Sequence, residues 1–161
     1  MHRRHFLIGL GSSSFVAFSG CIEGQEDTSG ADSSEVDTTE KDDGPDCADT
    51  VTIESEGMAP ALSTGDEVCI VEYNSYEPVD NTEETGVIPA DVGEEIGYEK
   101  LGGTGDIIRY YPDGNEEQNP IIARVVTWED GSYVTRGDNN EEPYPWNAPV
   151  ESITGVVEEI V

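Results

Sequence analysis

Few residues in this chain of 161 can move a proton near neutral pH. The only histidines are His2 and His5, and the only lysines are Lys41 and Lys100. A lysine base needs burial to lower its pKa. Lys100 sits in a stretch without regular pattern, amid carboxylates, and is expected at the surface with its pKa raised. Three Gly-Asp pairs end in Asp66, Asp106 and Asp138. Two of these as an acid pair is one route to general acid-base chemistry, but Gly-Asp turns are far more often hydrogen-bonding anchors. Ser55 offers a hydroxyl nucleophile, and alternation along an extended segment puts it on the same face as position 57. It has no evident base. The spacing of Cys21, Cys47 and Cys69 gives neither a second close cysteine nor a nearby histidine, so no metal site and no cofactor are expected.

The elements that must position these residues read as strands. Val51 to Glu54, Glu67 to Tyr73, Asp106 to Tyr111, Ile121 to Trp128, Tyr133 to Arg136 and Ile153 to Val161 are short β-rich runs separated by Gly, Pro, Asn and Asp clusters. With no convincing 3.6-residue period, the pattern predicts a mainly β domain over 50–161. Asp130-Gly131 between two runs predicts a hairpin. Residues 74–104 read as a long irregular connection, with Gly102, Gly103 and Gly105 as breakers.

The chain carries 36 acidic against 7 basic residues, a net charge of −29. Nucleic acid is excluded as an electrostatic partner, since every phosphate would meet like charge. A compact state at this charge repels itself strongly until salt shortens the Debye length to about 3 Å at 1 M. The acids run through the strand-rich part as well, which points to a halophilic host. No apolar run approaches the roughly 20 residues that span a bilayer.

Residues 1 to 20 have a basic start, a short apolar stretch and a small-residue end, and read as a targeting segment. Arg3-Arg4 followed by Phe6-Leu7 resembles the twin-arginine export signal. Phe18-Ser19-Gly20-Cys21 resembles a lipobox, which implies lipidation of Cys21 as the new N-terminus. The ordinary alternative is a plain cysteine near a cleavage site. Residues 21–49 are acidic and almost devoid of apolar side chains, too poor in burial to offset their ordering entropy, and read as a disordered tether. The expected location is the outer face of the cell membrane, held through the lipid. Assigning Cys21 to lipid leaves Cys47 and Cys69, an even number in an oxidising compartment; a bridge between them is the expectation, with two separate buried thiols as the alternative.

Glu54-Ser55-Glu56-Gly57-Met58-Ala59-Pro60-Ala61-Leu62 followed by Gly65-Asp66 resembles the type I signal peptidase segment, usually Ser-x-Ser-Met-x-Pro-x-Leu and then Gly-Asp. Gly105-Asp106-Ile107-Ile108 is similar to the family's second Gly-Asp element. Ile121-Ile122-Ala123-Arg124-Val125 resembles the Ile-x-His-Arg-Val strand of the archaeal and endoplasmic-reticulum branch. Thr135-Arg136-Gly137-Asp138-Asn139-Asn140 matches the Thr-Lys-Gly-Asp-Asn-Asn loop. The resemblance implies a β fold and a serine endopeptidase ancestry, with Ser55 at the oxyanion position and Met58, Pro60, Asp66, Arg124 and Asp138 as framework.

The reacting positions depart from that pattern. Gly57 stands where the nucleophilic serine belongs, Ala123 where the base belongs, and Tyr144 where a further aspartate is usual. The membrane helix ahead of the nucleophile is also missing, with the lipid anchor in its place. These departures lead to an exported lipoprotein that has lost peptidase activity and binds an extended peptide or an envelope partner. The alternative is a diverged peptidase using Ser55 or an unrecognised dyad.

Overall fold

The computed structural model describes residues 45–161. The targeting segment, Cys21, Lys41 and the tether up to residue 44 lie outside the described residues. The fold is mainly β. Its strands are β1 (Asp49–Thr52), β2 (Glu67–Val71), β3 (Glu99–Lys100), β4 (Gly103–Thr104), β5 (Ile107–Tyr110), β6 (Ile121–Glu129), β7 (Ser132–Arg136), β8 (Ala148–Pro149) and β9 (Ile153–Ile160). Seven of them form one curled antiparallel sheet in the order β1-β2-β9-β5-β6-β7-β8, and β3 and β4 form a separate two-stranded hairpin.

The central strands are continuous apolar runs because both of their faces are covered. Val68, Cys69 and Ile70 are fully buried in succession on β2, as are Val156 and Val157 on β9 and Ile107 and Ile108 on β5. Leu62, Tyr110, Val125 and Tyr133 complete the same core. The close approach of β9 to β2 requires a glycine: a Cβ on Gly155 would collide with Ile70 Cγ2. The β6–β7 hairpin turns at Asp130 and Gly131, both at positive φ (49° and 83°), as a two-residue turn with this twist needs.

Two segments differ from the sequence reading. β1 begins at Asp49 and ends at Thr52, earlier than expected. Ala48 N–H already bonds Ile70 O (2.8 Å), and a Cys47–Cys69 disulfide joins the segment to β2. Residues 74–104 are not wholly irregular. They hold helix α1 (Ala90–Ile96) and the β3–β4 hairpin. Seven residues are too few to display a helical period, and Gly93 lowers the helix propensity further. That glycine is a packing requirement, since a Cβ there would stand 2.8 Å from Thr104 Cγ2.

Candidate functional site

The segment 53–62 is pinned at its apolar positions, with Ile53, Met58 and Leu62 in the core, and leaves Ser55 and Pro60 exposed. The loop after β7 docks onto it. Asn139 N–H donates to Gly57 O (3.0 Å), and Tyr144 N–H returns to Thr135 O (2.8 Å) to close the loop. Position 57, Ser55 and Tyr144 therefore meet: a Cβ built on Gly57 would lie 3.3 Å from the Tyr144 hydroxyl and 3.8 Å from Ser55 Oγ.

Ala123 is fully buried in β6, opposite Ile108 of β5. No imidazole could occupy that position without displacing core side chains. Asp66 anchors a turn, its carboxylate accepting Ser63 N–H (2.7 Å). Arg124 holds Asp138 by two hydrogen bonds, Nε to Oδ1 (2.8 Å) and Nη2 to Oδ2 (2.7 Å). Its Nη1 donates to the carbonyls of Lys100 (2.9 Å), Gly103 (3.2 Å) and Gly105 (2.6 Å). Arg124 thus ties the β3–β4 hairpin to the loop that carries Gly137 and Asp138.

Beside Gly57 and Met58 opens a cleft of about 690 Å³, bounded by β1 on one side and by residues 119–122 at the start of β6 on the other. Val51, Ile53, Met58, Ile121 and Ile122 supply apolar lining, and Tyr144 also lines the cleft. Tyr144 stacks on Trp146 with ring centroids 5.2 Å apart. Trp146 Nε1 is buried and meets no acceptor at hydrogen-bond geometry among the described residues, though the indole stands close enough to the Tyr110 hydroxyl to favour its ionised form slightly against burial. β1 is an edge strand. Ile53 N–H bonds Asp66 O and Ile53 O accepts from Gly65 N–H, so by the alternation of an antiparallel ladder Thr52 turns its N–H and C=O away from β2. The corresponding N–H of Thr50 is capped by Asp49 Oδ1 (2.9 Å).

One charged cluster escaped the sequence reading. Lys100 is not at the surface: its side chain is 11% exposed, 2.6 Å from Glu158 Oε2 and 3.6 Å from Asp106 Oδ1. Asp106, 1% exposed, also accepts Ile88 N–H (2.8 Å) and Tyr98 O–H (2.7 Å). Burial pushes the Asp106 carboxyl up, against the pull of Lys100. The one available signal was that Lys100 is a rare cation only six positions from a Gly-Asp pair.

No group of three or more metal-ligating side chains is gathered among the described residues. No described helix is long and apolar enough to cross a membrane. What fold and site define is a mainly β domain with an open cleft at a sheet edge. Comparison with protein-family profiles, curated proteins and solved structures finds no match.

Proposed function

We propose that the domain is a non-cleaving, signal-peptidase-like module that takes up an extended peptide by adding it as a strand beside β1. The cleft carries this reading: an unpaired strand edge runs along apolar walls, which is the arrangement that gives main-chain hydrogen bonds and side-chain pockets together. Gly57 offers no hydroxyl and Ala123 no proton acceptor, so the peptide would be held and not cut. An export signal, a lipidated Cys21 and an acidic tether would present the cleft outside the cell membrane of a halophile, facing peptides or envelope proteins.

A second reading, a diverged serine endopeptidase, draws on one observation. Ser55 Oγ lies 3.8 Å from the point a Cβ of residue 57 would occupy. One experiment separates the two. The full chain is mixed at molar salt with a synthetic peptide spanning the apolar stretch and small-residue cleavage region of a preprotein signal. Saturable binding that is lost in Thr52→Pro, with the peptide intact, is the expected result. Absence of binding would overturn the proposal, and cleavage abolished by Ser55→Ala would establish the second reading.

A further inference from the structure

Lys100, Asp106 and Glu158 bring together an amine, a carboxyl group and a second carboxylate in a cluster that contributes no residue to the cleft. The amine is in contact with Glu158 and stands 3.6 Å from Asp106 Oδ1, an oxygen on the carbon it would attack. The Asp106 oxygens are already polarised, Oδ2 by Ile88 N–H and Oδ1 by Tyr98 O–H. Arg124 fixes the stretch between the two reacting residues through its carbonyls.

We propose that Lys100 and Asp106 become joined by an isopeptide bond within the folded domain, with Glu158 as the proton carrier. Glu158 takes a proton from the Lys100 ammonium, and the freed amine attacks Asp106 Cγ. The new oxyanion sits on Oδ2, facing Ile88 N–H. Oδ1 leaves with two of the three ammonium protons, one of them relayed by Glu158, while Tyr98 supports its departure. An ammonium and a carboxylate become one amide and one water. Glu158 ends ionised as it began, and no oxidant or cofactor enters. Burial helps in two ways: it pushes the Asp106 carboxyl up toward its neutral form, and the withdrawal of Lys100 and Asp106 from water, at 11% and 1% exposure, disfavours reversal of the step.

The test is intact-mass and tryptic analysis of the reduced full chain after folding at high salt. The expected chain is lighter than its sequence by the mass of one water and is not cut by trypsin after Lys100. Lys100→Arg and Glu158→Gln each restore the full mass. A wild-type chain of full mass, cut normally after Lys100, would overturn the proposal. So would a water deficit accompanied by normal cleavage there, since that places the dehydration elsewhere. The wild-type chain alone decides the question, so a variant that fails to fold does not blunt it.

Discussion

Arg124 grips Asp138 through two hydrogen bonds of 2.8 and 2.7 Å, and its remaining nitrogen gathers the backbone carbonyls of Lys100, Gly103 and Gly105. Both side chains are largely withdrawn from water, at 6% and 15% exposure, so the pair behaves as a buried one. Arg124→Met should cost about 3–5 kcal/mol, because it leaves the Asp138 carboxylate without its cation and removes the donor to three carbonyls. Arg124→Lys should recover little of that, since an ammonium cannot replace a planar fork. Denaturant unfolding at high salt measures both.

Position 57 is crowded by a hydroxyl. Gly57→Ser should destabilise the domain by about 1 kcal/mol through contact with the Tyr144 oxygen, at 3.3 Å from the new Cβ. Tyr144→Phe removes that oxygen, so the double variant should be less destabilised than the two single changes added together. A double-mutant cycle in thermal or denaturant unfolding reports the difference; strict additivity would show that the two positions do not touch.

The disulfide closes a loop between residues 22 positions apart. Loop-closure entropy for that length makes removal of the bridge by Cys47→Ser with Cys69→Ala worth about 3 kcal/mol of lost stability. The unreduced protein should show no thiol titratable from either residue. A reagent-accessible thiol traced to Cys47 before reduction would count against it.

Burial holds the phenols of Tyr73, Tyr98 and Tyr133 above the usual tyrosine range. The folded state therefore keeps protons that the unfolded chain releases near pH 10. The stabilisation is complete below about pH 10 and is lost as pH climbs toward the folded values. These three tyrosines should ionise together with the loss of circular dichroism. A tyrosinate absorbance rise attributable to them while the sheet stays intact would contradict this.

The six longer strands were legible because their apolar runs are β-branched and bounded by turn residues, and Asp130-Gly131 marks its hairpin outright; the two-residue strands β3, β4 and β8 are too short to carry a pattern. α1 was not legible, since a seven-residue helix with Gly93 at its centre carries neither period nor propensity. Ser55, Gly57 and Tyr144 were each singled out along the chain. Their meeting depends on the β7 loop folding back through Asn139 N–H and Gly57 O, a contact between positions far apart in sequence. Lys100 was misread for a related reason: its partner Glu158 lies 58 residues away. Charge composition shows that a cation is outnumbered but not which acid will meet it in the interior. The cleft exists only because the sheet curls, and curl is a property of the assembled sheet.

The Cys47–Cys69 bridge also decides how the domain carries load. Tension arriving along the chain from residue 46 reaches Cys47 before it reaches β1, and the covalent link passes it directly to Cys69 in the middle of β2. β1 lies beyond that junction and is left slack. A pull that would otherwise peel the edge strand off one hydrogen bond at a time is thereby borne by β2, which is paired on both sides, and the open rim of the cleft keeps its shape under strain from the N-terminal side.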